Sequence, residues 1–408
     1  MGMSLQPYHS VLALPKVRSS LLLMFMARIP MAAMSIAITL HVVIGLGYGY
    51  GAAGAVGSML MGGAAAGSPF VGRMLDRHGL RPVVAVCAVM SAAFWIASPW
   101  LSYEVLLLVA VPAGMLGVPY GPVAKQVLAA LVSAGQLRTA YALDSMSTEV
   151  AFMLGPAGAT AIATQVSTTV SLTAIGAAHA LIGAAIWMTN PPLRTDYEAA
   201  ADRTSLRSWL TPQLGKALLV VAGAFFVLAG MELAMLASLR ASSDVEWTGL
   251  VVAIICLASM VGGLLYGAIR RSLSQLGLMV LLATLTVPVA LAGQPWWLLA
   301  LALVPMGLAC APTVAATSEV VAGLAPAYVR GQAMGLQFSA SWLGVSAGSP
   351  VVGFVIDRSS VPCGFVAAGG GGLGIAAIAY ALGWISPRRR RDVLRIRRSR
   401  VSGCSPPQ

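Results

Sequence analysis

Charge is what this sequence has least of. Only 9% of its 408 residues are Asp, Glu, Lys or Arg, against about 25% in an ordinary soluble domain. So few charges cannot cover a water-facing surface for a chain this long. The short alternating segments of an outer-membrane barrel are missing too, because the apolar runs are long and continuous. Five cysteines (Cys87, Cys256, Cys310, Cys363, Cys404) are widely spaced with no C-x-x-C pair, so neither a disulfide framework nor a metal site is expected. There is no G-x-x-x-x-G-K-[ST] loop and no H-E-x-x-H, which argues against ATP-driven work and zinc chemistry. Gly344–Gly348 fits G-x-S-x-G and Gly369–Gly374 fits G-x-G-x-x-G. Both lie inside apolar runs, where small residues let helices approach one another. Neither an enzyme nor a cofactor is expected.

What remains is hydrophobic: 58% of the residues, with a mean hydropathy of +0.84. A helical span needs roughly 20 apolar residues, and the runs between breakers give twelve. They fall near 20–45, 49–71, 82–102, 104–131, 140–164, 168–189, 216–239, 247–269, 274–293, 296–323, 331–356 and 362–385. The expected fold is all-α and polytopic. Lys16 and Arg18 before the first run mimic a secretory leader, but that run is too long for one and reads as a retained span.

Basic residues set the orientation. The side holding both termini collects 21 of the 25 Lys and Arg, which by the positive-inside rule makes it cytoplasmic in a plasma membrane. Eight of these crowd the tail from Arg388 to Arg400, a stretch suited to anionic lipid headgroups rather than nucleic acid. Trp95, Trp100, Trp247, Trp296 and Trp297 gather toward the opposite interface, as an aromatic belt would. The longest polar stretch divides the spans six and six. The expected domains are a six-helix bundle at 1–193, a linker at 194–215, a second bundle at 216–387 and a basic tail at 388–408. Arg138 with Gly155-Pro156 is echoed by Arg330 with Gly348-Ser349-Pro350, so the halves read as tandem copies. Parallel six-helix repeats are a transporter architecture with the substrate near midplane.

The segment after the second span reads Gly72-Arg73-Met74-Leu75-Asp76-Arg77-His78-Gly79-Leu80-Arg81-Pro82. It resembles the signature loop of the major facilitator superfamily at Gly72, Asp76, Arg77, Gly79 and Arg81. The resemblance implies that Asp76 meets the start of the eleventh helix and helps latch one conformation. Gly155-Pro156 in the fifth span is similar to a helix-bend motif of the family's antiporters. The Arg that such antiporters carry in the fourth span is absent, with Ala110 near its place. Met26-Ala27-Arg28-Ile29-Pro30 and Tyr141-Ala142-Leu143-Asp144 through Glu149 resemble a poorly defined bacterial group within the family.

Ionisable groups inside a bilayer cost roughly 2.5–3.5 kcal/mol each on insertion scales, so each needs a partner, a cavity or a task. Arg28, Lys125, Asp144 and Glu149 sum to zero in the first half. They are read either as a gated substrate or proton network, Glu149 pairing with Arg28 or Lys125 in one state, or as a permanent fastening of helices. Glu232 and Glu319 have no cation within their own half. Glu149 and then Glu232 are the proton-coupling candidates, and His41 is placed to approach Glu232. The expected activity is secondary transport of a small molecule, with proton-coupled efflux leading. Uptake of a polar or anionic metabolite against Arg28 and a membrane sensor are the alternatives. Expected partners are a small-molecule substrate, protons and lipid around a monomeric chain.

Overall fold

The computed structural model describes residues 6–133, 135–193, 209–268, 273–292 and 295–384. The basic tail, residues 194–208 of the linker, and Arg270 and Arg271 lie outside the described residues. Among the described residues, fourteen α-helices run in chain order: α1 Gln6–Leu12, α2 Pro15–Leu40, α3 Tyr50–His78, α4 Leu80–Ala97, α5 Tyr103–Met115, α6 Tyr120–Leu131, α7 Leu137–Gln165, α8 Thr168–Thr189, α9 Pro212–Ala241, α10 Thr248–Ala268, α11 Gln275–Thr286, α12 Trp296–Leu324, α13 Arg330–Arg358 and α14 Val361–Trp384. No strand occurs among the described residues.

Local chemistry sets the starts. Side chains of Ser167, Thr211 and Ser274 accept from the backbone N–H three residues on, at 3.1, 3.2 and 3.1 Å. Each satisfies a donor that the first helical turn leaves open. Pro212 follows Thr211 where a missing N–H costs nothing. Among the described residues, nine helical runs are long and apolar enough to cross a membrane, with Tyr103–Leu131 taken as one run. The other expected spans are α3, rich in glycine, α7, which carries Arg138, Asp144 and Glu149, and α11, which is short and continues as a 3-10 turn to Leu291.

The packing repeats itself. In the first half α2 lies on α7, α4 on α8, and α3 on α5; in the second α9 lies on α13, α11 on α14, and α10 on α12. Between the halves α3 packs on α13 and α7 on α10. These two seams correspond under the same pseudo-twofold relation.

Four expectations change. The fourth span is broken: α5 stops at Met115 and α6 starts at Tyr120, because Gly117 and Pro119 interrupt the backbone ladder. The signature loop is hardly a loop, since Gly72 to His78 finish α3 and only Gly79 separates it from α4. Gly79 has φ +81°, a left-handed backbone that favours glycine. Trp95 is buried at 3% exposure against Phe94, so it belongs to the core and not to the belt. The fourth difference is α1, a short helix before the first span that was not expected and that buries Tyr8 and Val11.

Candidate functional site

Most ties between the halves gather toward one end, here the near end, where α3 finishes and α13 begins. On the α3–α13 seam the contact is backbone on backbone. A Cβ added to Gly72 would strike the Gly331 carbonyl, and one on Gly335 would strike that of Ser68. Asp76 accepts from the N–H of Gly331 at 3.0 Å and of Gln332 at 2.8 Å. A carboxylate there meets open donors and the positive end of the α13 dipole together. The remaining residues of that segment do other work: Arg81 donates to the Trp187 carbonyl at 3.1 Å and lies over its ring, while Arg77 is exposed.

The α7–α10 seam is built from side chains. Small residues at Ser259, Gly262, Gly263 and Gly267 recur at helical spacing on α10. Gly262 sits hard against the Leu308 carbonyl of α12, which has no i+4 N–H to bond because residue 312 is proline. That approach lets Ser259 Oγ accept from the Ala311 N–H at 3.0 Å while donating to Glu149 Oε1 at 2.8 Å. The Cys256 side chain, on the same face of α10 as Ser259, lies beside Glu149. Nearer the end, Thr139 donates to the Gly267 carbonyl at 3.1 Å. Arg138 reaches Glu319 at 3.3 Å and Tyr266 donates to the same carboxylate at 2.9 Å. Tyr8 of α1 donates to the carbonyls of Gly263 at 3.1 Å and Leu264 at 2.6 Å.

Arg28, Lys125 and Asp144 form one buried cluster inside the first half. Asp144 takes Arg28 at 2.6 Å through one oxygen and Lys125 at 2.7 Å through the other. Arg28 also donates to Ser147 at 2.9 Å, and Lys125 lies 4.9 Å from the Tyr141 ring centre. Arg28 is 4% exposed, Lys125 5% and Asp144 0%, so burial demands these mutual pairs.

Three pairings therefore differ from the sequence expectation. Glu149 stands apart from Arg28 and Lys125 and turns across the seam to Ser259 and Cys256, because Asp144, more than one turn earlier, takes both cations. Glu319 is paired by Arg138, a cation of the other half that sequence order alone does not place beside it. His41 bonds Thr168 at 3.1 Å instead of approaching Glu232. Glu232 is exposed and has no hydrogen bond or ion pair among the described residues. Its helix α9 packs against α11, α12, α13 and α14 of its own half. Gly155 meets the Ile29 carbonyl and Ala32 of α2, so the Gly155-Pro156 bend is a close contact of α7 with α2. Ser259, Cys256, Tyr266 and Tyr8 were missed by sequence reading; the small-residue row on α10 was the available signal.

Two repeated helical bundles, joined along seams that tighten toward one end and with a buried charge cluster inside the first, define a polytopic membrane transporter. The family model described as Major Facilitator Superfamily matches residues 20–292, and the chain belongs to that superfamily. No curated protein matches it in sequence. Solved structures with the same fold include a bacterial homologue of the iron transporter ferroportin in an outward-facing state. It has a TM-score of 0.71 and 13% identity, over 91% of this chain and 100% of that one. The human organic anion transporter MFSD10 gives 0.69 and 19%, over 90% and 99%. The proton:xylose symporter XylE gives 0.69 and 12%, over 90% and 95%. The protein is a secondary transporter and not an enzyme.

Proposed function

We propose that this transporter exports a small, fairly apolar compound in exchange for protons, with Glu149 as the proton-carrying group and Glu232 as the second acidic group of the path. In this reading the near end, with both chain termini, faces the cytoplasm across a plasma membrane, and the described conformation is closed on that side. The observation that carries it is Glu149: a carboxylate well inside α7, held across the seam by Ser259, with no cation bonded to it. Such a group changes charge by a proton more readily than one locked in an ion pair. The Arg28 cluster supports efflux over anion uptake, because the counter-charge uptake would need is buried and already held by Asp144. The Gly155-Pro156 contact supports it in the same direction. Asp76 serves as a conformational latch in this scheme, with Gly72 holding α3 close to the start of α13.

The substrate is found by comparing metabolites and drug sensitivity in cells with and without the protein. The compound so identified is then followed in proteoliposomes with a proton gradient. Glu149→Gln is expected to lose at least about tenfold of gradient-driven transport while keeping substrate exchange without a gradient. Retention of both would remove Glu149 from the proton path and leave Glu232 to test. Ligand binding with no flux of any compound would instead favour a sensor.

A further inference from the structure

We propose that Ser259 is a positioning residue that makes closure of the α7–α10 seam depend on the charge of Glu149. The inference rests on the proton-carrying role given to Glu149 above and adds how its proton is linked to the conformational change.

A serine hydroxyl has one proton to give and lone pairs to receive. The Ala311 N–H occupies the receiving side of Ser259 at 3.0 Å. The hydroxyl proton is thereby directed at Glu149 Oε1, 2.8 Å away. Ser259 is 1% exposed, so water does not readily replace either partner. The orientation is set by α12 and α10 of the second half, whereas the acceptor stands on α7 of the first. The bond therefore exists only while the seam is closed.

An ionised carboxylate is the stronger acceptor, since hydrogen bonds to charged groups are roughly twice as strong as neutral ones. Ionised Glu149 ties α7 to α10. A proton arriving on its carboxyl weakens that tie, and the near end is freed to open with the proton aboard. The groups that face Glu149 allow this. From α10 come Ser259 and the Cys256 thiol, from α12 the buried Cys310 thiol, and from the α9 side Glu232, whose field reaches Cys256. From α2, Arg28 is held one turn nearer the end by Asp144 and Ser147. No cation among them substitutes for the hydroxyl.

The test reads the seam itself and needs no substrate. Ser133 and Leu273 are exposed near-end positions on the two sides of the seam. Spin labels at Ser133→Cys and Leu273→Cys, with Cys363 and Cys404 replaced by serine and Cys256 kept, report the near-end distance in nanodiscs between pH 5 and 9. Without a substituted residue on the seam, acidification is expected to shift the closed-to-open ratio by about tenfold, the worth of one hydrogen bond to a charged group. Ser259→Ala is expected to reduce that pH response to about threefold or less, and Ser259→Thr, which keeps the hydroxyl, to restore it. Glu149→Gln is expected to flatten it as well. An Ala variant with the full pH response overturns the positioning role, and so does a Thr variant that behaves like Ala. Loss of gradient-driven transport in Glu149→Gln together with an unchanged Ser259→Ala response would sink this inference alone and leave the proton-path proposal standing.

Discussion

The two seams between the halves occupy equivalent places in the repeat and are made of different materials. Along α3–α13, Gly72, Gly331 and Gly335 bring backbone onto backbone, and Asp76 caps a helix end. Along α7–α10, the contact is a ladder of side chains: Tyr8, Thr139, Arg138 with Glu319 and Tyr266, and Glu149 with Ser259. A backbone contact responds to steric fit and hardly to pH. A side-chain ladder containing a carboxylate held only by neutral donors responds to protons as well. In the proposed scheme one seam serves as a bearing, and the other holds the carboxylate that decides when the bearing moves.

The sharpest way to break that contrast is to make the same substitution on both sides. Gly72→Val places a side chain against the Gly331 backbone, which cannot yield, whereas Gly263→Val meets the flexible Met146 side chain on α7 first and the Ala311 Cβ of α12 at 3.2 Å. Overpacking a rigid contact costs about 1–3 kcal/mol, so Gly72→Val is expected to cut near-end closure by tenfold or more and transport with it. Gly263→Val is expected to lose several-fold less. Equal losses, measured as near-end distance and substrate flux in the same preparations, would mean that the two seams do not differ as described. Next in size is Glu149→Gln, which should uncouple transport from the gradient and leave near-end closure weakened by the same factor at every pH.

How far the sequence could foresee this contrast depends on where each partner stands in the chain. Spans were legible because apolar runs and breakers are local: Thr168–Thr189 matches the expected span, and most others shift by only a few residues at either end. Breaks in backbone hydrogen bonding were harder, and the unwinding at Leu116–Pro119 hides inside an apolar run. Asp76 was legible because its partner lies at the start of a helix, a place defined by chain order. Arg28, Lys125 and Asp144 were found as a charge-balancing problem, but which anion took which cation depends on lateral packing that the sequence does not encode locally. Ser259 was invisible because a serine in an apolar helix has no charge to draw notice, and its importance comes from Pro312 on another helix.

A smaller effect is expected from Asp76→Asn. The amide keeps an acceptor oxygen for one N–H of α13 but loses the charge that faces the helix dipole, a difference of about 0.3–1 kcal/mol, up to 2 where partly buried. Near-end closure should weaken a few-fold with no change in its pH response, read by the same spin-label pair. A pH response that vanished with Asp76 would place the proton switch on the α3–α13 seam and reverse the assignment of roles.

An equally small effect is expected at Tyr8, and it sharpens the comparison most finely because the residue sits on the chemical seam without taking part in titration. Its phenol is pushed up to about 12 by burial. Below that value it stays protonated and able to donate, so its bonds to the Gly263 and Leu264 carbonyls are constant across neutral pH. Tyr8→Phe keeps the ring and its packing and loses only those bonds, worth about 0.5–1.5 kcal/mol. Near-end closure should therefore fall by only a few-fold, and by the same factor at pH 6 and pH 9. Gly267→Ala should act in the same direction, since its Cβ would collide with the Tyr8 hydroxyl, and the two changes together should add little to either alone. Spin-label distances for both single variants and the double variant supply the cycle. A Tyr8→Phe effect that grew on acidification would show α1 to be coupled to the Glu149 tie, and the seam would then be one cooperative unit instead of a pH-sensitive bond beside a constant one.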